Sequence, residues 1–377
     1  MNIRNHFPTE ELQKRDAAHH LHPFTAQHDL ANKGSRIITS AQGVYVYDSN
    51  GEELLDAMAG LWCVNIGYGR EELAQAAERQ MRELPYYNTF FQTTHIPAID
   101  LSEKLAKLAP RDLNHVFYAG SGSEANDTNI RIVRQYWALL GHAEKNIIIS
   151  RKNAYHGSTL GGASLGGMNA MHQQGGLPIP NVQHINQPDW WAEGGELSPE
   201  EFGLARAREL EEAIVDLGEE RVAAFIAEPV QGAGGVIPPS KNYFDLIQPI
   251  LKKYKIPFVA DEVICGFGRT GNLWGCDTYN IKPDIIISSK CLTAGFFPMG
   301  AVIVNKDFAD EFTSVSEDAE EFPHGFTAGG HPVGCAIALK AIDVIINEGL
   351  LENVRSVSPY FHERLNEFNA VSYTHLR

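Results

Sequence analysis

Short apolar runs alternate with longer amphipathic segments through the middle of the chain, and this alternation constrains the fold more than any other feature. The amphipathic segments, which have apolar residues at helical spacing, are residues 126–140, 199–217 and 243–254. The apolar runs are strand candidates: residues 115–119, 146–150, 222–227, 257–260, 284–288 and 301–304. Strands that alternate with helices in this way predict an α/β domain whose mostly parallel sheet is covered on both faces.

The segments before and after this region have other patterns. Residues 44–56 contain two short alternating runs around an Asp-Ser-Asn-Gly turn, which predicts a β-hairpin. Further segments with helical spacing are residues 71–84, 336–346 and 351–368. We therefore expect residues 1–66 to belong to a small domain, residues 67–328 to form a large domain, and residues 329–377 to begin the C-terminal part of the small domain.

Composition narrows the classes of function. Thirty-one basic residues against 47 acidic ones give a net charge of −16, and no basic cluster is dense enough to follow a phosphate backbone. We therefore expect no nucleic-acid partner. The five cysteines form no Cys-x-x-Cys pair, which favours a reducing, cytoplasmic location. The N-terminus has no apolar core of a secretory signal and no run reaches the length of a membrane span, so we expect no membrane partner.

Three histidines near the N-terminus, His19, His20 and His22, raise the question of a metal site. The sequence offers no cysteine pair or carboxylate cluster at ligand spacing beside them. We expect a plain N-terminal arm and no metal.

Residues with chemical potential follow several of the strand candidates. The first strand leads into a Gly-Ser-Gly-Ser-Glu-Ala-Asn turn at residues 120–126, and later strands lead into Glu228, Asp261 and Lys290. In sheets of this class, ligands bind beyond the carboxyl ends of the strands. The turn lacks the third glycine of a dinucleotide loop and the Gly-Lys-Ser/Thr of a nucleotide-triphosphate loop. Its glycines at a helix start favour a cradle for a single phosphate.

Lys290 and Asp261 each leave two interpretations open. A lysine among apolar neighbours is a nucleophile toward carbonyls when it is desolvated, but it can also extend along a strand end toward water. An acid at the end of a buried strand needs a positive partner. A protonated pyridine nitrogen or an ion pair with Arg269 would each serve Asp261.

Taken together, these motifs resemble those of class III aminotransferases, the ω-aminotransferase branch of fold-type I pyridoxal-phosphate enzymes. The resemblance extends from about residue 23 to residue 360. It depends on residues 121–126, Tyr-His-Gly at 155–157, Glu-Pro at 228–229, Asp-Glu-Val at 261–263, Gly-Phe-Gly-Arg-Thr-Gly at 266–271, Lys290, His-Gly-Phe-Thr at 324–327 and Gly-His-Pro at 330–332. The amine–pyruvate and polyamine–pyruvate members are matched in finer detail by residues 59–65, 87–91 and 231–235.

The resemblance implies a large domain with a mostly parallel, seven-stranded sheet, a smaller α+β domain, and pyridoxal 5′-phosphate as the cofactor. Lys290 would bind the cofactor covalently and transfer the substrate proton, and Asp261 would hold the ring nitrogen protonated. The ring would lie between Tyr155 and Val263. The residues with the remaining implied roles are Gly122 and Ser123 on the phosphate, Thr327 on the partner subunit's phosphate, Glu228 near the cofactor, and Trp62 and Phe90 in the substrate pocket.

The reaction implied is transfer of an amino group from an ω-amino acid, diamine or simple amine to a keto acid, pyruvate, by a homodimer with shared active sites. His156 could be a catalytic base, but we expect a supporting role because Lys290 already transfers the proton. A related aminomutase or decarboxylase is an alternative, which the segments containing Trp62 and Phe90 disfavour.

The family's C-terminal domain continues beyond residue 377 and contains an arginine for the substrate carboxylate, which neither Arg355 nor Arg364 matches. We therefore expect the small domain to be incomplete here, which leaves a non-catalytic remnant that dimerises or binds the cofactor as another alternative.

Overall fold

The hairpin expected near the N-terminus forms in the first of two structural units, Met1–Glu71, of the computed structural model. The structure describes residues 8–314 and 321–371. Strands β1 (Ile38–Gln42), β2 (Tyr45–Asp48) and β3 (Glu53–Leu55) form an antiparallel sheet, whose first strand was not expected. The helices of this unit are α1 (Thr9–His19), α2 (Gln27–Lys33) and the short α3 (Ala59–Trp62).

The second unit, Glu72–Arg377, contains a seven-stranded sheet. Its strands are β4 (Leu113–Ala119), β5 (Ile147–Arg151), β6 (Val182–Ile185), β7 (Val222–Ala227), β8 (Phe258–Asp261), β9 (Ile285–Ser288) and β10 (Gly300–Asn305). Their spatial order is β4-β10-β9-β8-β7-β5-β6. Strand β10 pairs antiparallel with both its neighbours, and the remaining pairs are parallel. The expected mostly parallel sheet is therefore confirmed.

The remaining α-helices of the described residues are α4 (Glu71–Glu83), α5 (Ile96–Leu108), α6 (Gly122–Leu139), α7 (Leu160–Leu165), α8 (Asn169–His172), α9 (Trp190–Glu193), α10 (Pro199–Leu217), α11 (Tyr243–Lys253), α12 (Gly275–Thr278), α13 (Lys306–Ser314), α14 (Pro332–Asn347) and α15 (Leu350–Val371). Two of them, α6 and α11, pack on opposite faces of this sheet. Ile226 and Val259 belong to the same apolar cluster as Val133 of α6. Phe258, whose side chain points to the opposite face, stacks on Phe244 of α11.

Two ends of elements differ from the sequence prediction in ways that matter for the site. Helix α6 begins at Gly122 rather than at Asn126, because the Ser121 hydroxyl accepts a hydrogen bond from Glu124 N and caps the helix earlier. Strand β8 ends at Asp261, so this acid is the last residue of the strand and lies at the carboxyl end of the sheet.

The structural division at residue 71 does not test the three-part division expected from the sequence, which stays a prediction. Within residues 8–314 and 321–371, no helix combines the length and the apolar character that a membrane crossing requires.

Candidate active site

Four strands of the second unit deliver the candidate residues to one edge of the sheet. Asp261 ends β8, Glu228 directly follows β7, and Lys290 follows β9 after one serine. These three strands are adjacent and parallel, so their carboxyl ends meet. A Cβ added to Gly122 would lie 3.0 Å from Val263 Cγ2 and 3.5 Å from Ser289 Cβ. The glycine-rich turn after β4 therefore reaches the ends of both β8 and β9.

Asp261 is buried and accepts three hydrogen bonds. Asn126 Nδ2 donates to Asp261 Oδ2 over 2.9 Å, and His156 Nδ1 lies 2.7 Å from the same oxygen. The backbone N–H of Val263 donates to Oδ1 over 3.0 Å. Three donors around one carboxylate suit its ionised form, because an ionised carboxylate only accepts hydrogen bonds. The carboxylate is therefore able to stabilise a positive charge that faces it.

The side chain that contacts Asp261 is His156 and not Arg269, which is exposed to solvent. His156 is 2% exposed, and its Nδ1 atom is the one that contacts the carboxylate. Its Nε2 atom is buried without a partner among the described residues. A buried ring whose hydrogen bond faces Asp261 can orient that acid. The supporting role expected from the sequence stays a prediction.

The start of α6 has the backbone arrangement that suits an anion. Ser121 caps the helix, and Gly122 and Ser123 occupy its first turn, where backbone N–H groups have no intrahelical acceptor. The helix has 18 residues, so its dipole adds positive potential at this end. A phosphate or carboxylate bound there would accept hydrogen bonds from these N–H groups.

Gly157 brings the Tyr155 loop against this turn. It has φ +133°, and a Cβ there would lie 2.6 Å from both Cα and Oγ of Ser123, so no other residue fits. The backbone N–H of Ser158 donates to Ser123 Oγ over 3.0 Å. The half-buried Tyr155 hydroxyl lies 3.0 Å from Ser158 Oγ. The loop that contains Tyr155 is therefore held against the start of α6.

Glu228 supports the backbone of this tyrosine. Its carboxylate accepts hydrogen bonds from Tyr155 N over 3.1 Å and from Gly232 N over 2.9 Å. Burial raises the pKa of Glu228, and the nearby His156 opposes part of that rise. The contacts assign this acid to holding the loop before Gly157. The implied position of Glu228 near the cofactor stays a prediction.

Lys290 has an unusual backbone conformation. Its φ of +45° lies in the left-handed region, which side-chain-bearing residues rarely adopt and which is common at functional sites. Ser289 Oγ donates to Met299 O over 2.7 Å, and Gly295 N donates to Lys290 O over 3.2 Å. The side chain is half-buried, and within the described residues no carboxylate pairs with its amine. An amine without a counter-ion is suited to attack a carbonyl group.

Phe90 and Thr327 lie together at a different place, beside edge strand β4. A cavity of about 880 Å³ is lined there by side chains from four stretches, which lie within residues 89–94, 98–102, 116–118 and 321–329. A Cβ on Gly325 would lie 2.6 Å from Phe90 Cζ, so the ring packs against this glycine. Thr327 is exposed, and its carbonyl accepts a hydrogen bond from Tyr86 over 2.8 Å. Neither Lys290 nor Asp261 lines this cavity.

Trp62 belongs to the first unit, where it ends the short helix α3. Ala59, Gly60 and Trp62 all have positive φ, and Asp56 Oδ2 accepts hydrogen bonds from Gly60 N over 2.6 Å and from Tyr68 Oη over 2.7 Å. The Tyr68 hydroxyl lowers the pKa of Asp56. A strained turn held by such contacts is consistent with a functional loop.

Sequence reasoning missed Asn126 as a contributor to the site, because in the sequence it stands out only as the last residue of the glycine-rich turn. Its side chain donates to both His156 O and Asp261 Oδ2, and it is fully buried. A polar residue at a position of α6 that faces the sheet was the available signal, because buried polar groups need partners.

The arrangement can bind an anion at α6, a cationic ring atom at Asp261 and a carbonyl carbon at Lys290.

Comparison with known proteins identifies the family of this chain. Residues 28–376 match the family model described as aminotransferase class III. The putrescine–pyruvate aminotransferase of Pseudomonas aeruginosa is 55% identical over 360 residues, which are 95% of this chain and 78% of the relative. The γ-aminobutyrate transaminase 1 of Solanum lycopersicum is 45% identical over 352 residues, 93% of this chain and 68% of the relative.

Solved structures show the same fold. An (S)-enantioselective ω-transaminase from Thermomicrobium roseum superposes with a TM-score of 0.93 at 42% identity, covering 96% of this chain and 81% of that one. A pyridoxal-phosphate-bound aminotransferase mutant from Vibrio fluvialis gives 0.92 at 48% identity, covering 94% and 79%. The likeness therefore covers nearly the whole of this chain in both sequence and structure.

Proposed function

The chain belongs to the class III aminotransferases, and from this premise we propose that it moves an amino group from a diamine, simple amine or ω-amino acid to pyruvate. The proposal depends on one observation. The α6 turn at Gly122, the Asp261 carboxylate and the Lys290 amine all lie at the carboxyl ends of the strands of the large sheet. Two relatives of this chain act, by their names, on putrescine with pyruvate and on γ-aminobutyrate.

Pyridoxal phosphate is the cofactor of this family, and the residues present fit it. The helix start at Gly122 and Ser123 would hold its phosphate, Asp261 would face its ring nitrogen, and Lys290 would bind its aldehyde carbon. The narrow gap between Gly122 and Val263 places an apolar side chain beside the phosphate turn. When bound, the cofactor supplies an electron sink that makes the carbon next to the amine acidic.

The protein's residues then have distinct tasks. Lys290 takes the proton from the substrate carbon next to the amine and delivers it to the cofactor carbon to which the amine is attached. Its amine must be neutral when it takes the proton. Asp261, with hydrogen bonds from His156 and Asn126, keeps a proton on the facing nitrogen. Tyr155 and Val263 would flank the bound ring and Trp62 and Phe90 would wall the substrate pocket, as the resemblance implies. The cytoplasmic location also stays a prediction.

We expect the chain with bound cofactor to carry out both halves of the exchange. Putrescine should bleach the visible absorption band of the cofactor, and pyruvate added afterwards should restore it with release of alanine. 2-Oxoglutarate in place of pyruvate is the matched control for the acceptor. Recovery with 2-oxoglutarate but not with pyruvate would contradict the proposed acceptor, and loss of carbon dioxide from an amino-acid donor would point to the decarboxylase alternative instead.

The surface around the β4 cavity supports a homodimer. Three apolar side chains near it are strongly exposed: Phe91 at 84%, Ile96 at 70% and Ile99 at 53%. An exposed apolar patch beside a cavity is typical of an interaction surface. We assign it to a second copy of the chain, because Thr327 at its border is the residue implied to reach the partner subunit's phosphate.

Replacement of Ile99 by aspartate should dissociate the proposed dimer, because a charge would be buried against apolar groups. Sedimentation equilibrium should show a monomer for Ile99→Asp. Val215→Asp, at an exposed apolar position of α10, should leave the dimer intact. A dimer in both variants, or a monomer for the parent chain, would refute the assignment of this surface.

A further inference from the structure

The N-terminal arm brings three metal-binding side chains together. Asp16 lies in the last turns of α1, and His20 and His22 follow the helix directly. One ligand atom from each residue can be chosen so that all three lie within 4.8 Å of one another. His20 Nδ1 is 3.1 Å from Asp16 Oδ1, and His22 Nε2 is 2.9 Å from Asp16 Oδ2. Two of the three histidines noted in the sequence therefore have a carboxylate partner, which lies four residues before His20.

These separations are close to those of a zinc site. With Zn–N and Zn–O bonds of about 2.0–2.2 Å, tetrahedral ligand atoms lie about 3.3–3.5 Å apart. The two imidazole rings, with centroids 4.1 Å apart and an angle of 39° between them, are on the same side of the carboxylate. A small outward rotation of the rings would admit an ion between the three groups.

The carboxylate is held in place by a further hydrogen bond. Ser35 Oγ donates to Asp16 Oδ2 over 2.6 Å, and this contact fixes the orientation of the carboxylate. A hydrogen bond of this kind to a ligating carboxylate is a common support in metal sites.

The arm around the cluster has few other anchors. Helix α1 lies wholly within the described residues and contains no fully buried side chain. Its hydrogen bonds with the rest of the unit include Gln13 Nε2 to Ser35 O over 2.8 Å and Thr9 Oγ1 to Asn50 Oδ1 over 2.8 Å. An ion bound to Asp16, His20 and His22 would hold the residues after His19 against the last turn of α1.

We propose that Asp16, His20 and His22 form a structural site for a divalent transition metal, with Zn²⁺ as the ion that this ligand set suits best. Two imidazoles and one carboxylate are typical zinc ligands, and water would complete the tetrahedron. The site ties the C-terminal turn of α1 to the segment that leads into α2. It takes no part in amino transfer and does not depend on the proposed function.

The test is zinc binding by the untagged full-length chain with its cofactor bound, after removal of metals with a chelator. Isothermal titration with zinc chloride should show one site per chain, and Co²⁺ should give the visible d–d bands of a tetrahedral nitrogen and oxygen site. Asp16→Asn, His20→Ala and His22→Ala should each weaken binding at least ~10-fold, since each removes one ligand or its charge.

His19→Ala is the matched control, because His19 is exposed and its ring is not part of the cluster. It should bind zinc like the parent, and all variants should keep the parent's circular dichroism and amine–pyruvate activity. Equal zinc affinity in the parent and in all the variants would overturn the proposal, because the ion would then bind elsewhere. Absence of binding by the parent would also overturn it, because the three groups would then form hydrogen bonds and ion pairs only.

Discussion

Replacement of Lys290 by alanine is expected to reduce amino transfer by about 10³-fold or more. The variant loses both the amine that binds the cofactor and the base that moves the substrate proton, and positioned acid–base catalysis alone contributes typically ~10²–10⁴-fold. The fold should survive, because Lys290 is half-buried and its turn is held by the backbone and by Ser289. Steady-state rates with putrescine and pyruvate measure the loss.

Lys282→Ala provides the control for Lys290→Ala. Lys282 is an exposed lysine eight positions earlier, at the start of the segment that leads into β9, and its variant should retain full activity. Borohydride reduction of the parent with bound cofactor, followed by peptide mapping, should place the label on Lys290. A label on another lysine, or normal turnover by the alanine variant, would show that a different amine binds the cofactor.

The large sheet could be predicted because most of its strands are buried on both faces. Strands β7, β8, β9 and β10 are apolar runs whose residues are all buried, so no periodicity was needed to find them. Strand β6 was missed because its central residues, Gln183 and His184, are polar. It lies at the sheet edge and carries a weaker apolar signal.

Helix α5 was not predicted either. Its buried residues Ala98, Leu101 and Leu105 have helical spacing, and Pro97 lies in its first turn. Proline is in fact favourable in the first turn of a helix, where His95 provides the cap.

The site was predictable where one residue follows one strand, and unpredictable where loops meet. Asp261 and Lys290 could be identified from their positions after β-strands. The pairing of His156 with Asp261 depends on how the loop after β5 returns across the sheet, which Gly157 and Ser123 determine through a contact distant in sequence. The partnership of Asp16 with His20 and His22 similarly depends on where α1 ends, because only then do the three side chains share a side of the chain.

Asp261→Asn is expected to slow removal of the substrate proton by at least ~10²-fold while the cofactor still binds. Asparagine has the same shape but no charge, so a proton on the facing ring nitrogen loses its counter-ion, and loss of one positioned electrostatic partner typically costs ~10²–10³-fold. Single-turnover bleaching by putrescine measures this step separately from pyruvate binding. Asp216→Asn, at an exposed acid of α10, should behave like the parent.

The hydrogen bonds of Asp261 also predict a loss of stability. If the new amide oxygen replaces Oδ2, it can still accept from Asn126 and His156, but the amide NH₂ then faces the donating N–H of Val263. A buried donor without an acceptor costs about 1–3 kcal/mol, which thermal unfolding without cofactor can detect. His156→Phe separates the two effects, because it removes one donor and leaves the charge. We expect its rate to fall much less than that of Asp261→Asn; an equal fall would mean that the orientation of the acid, rather than its charge, controls the step.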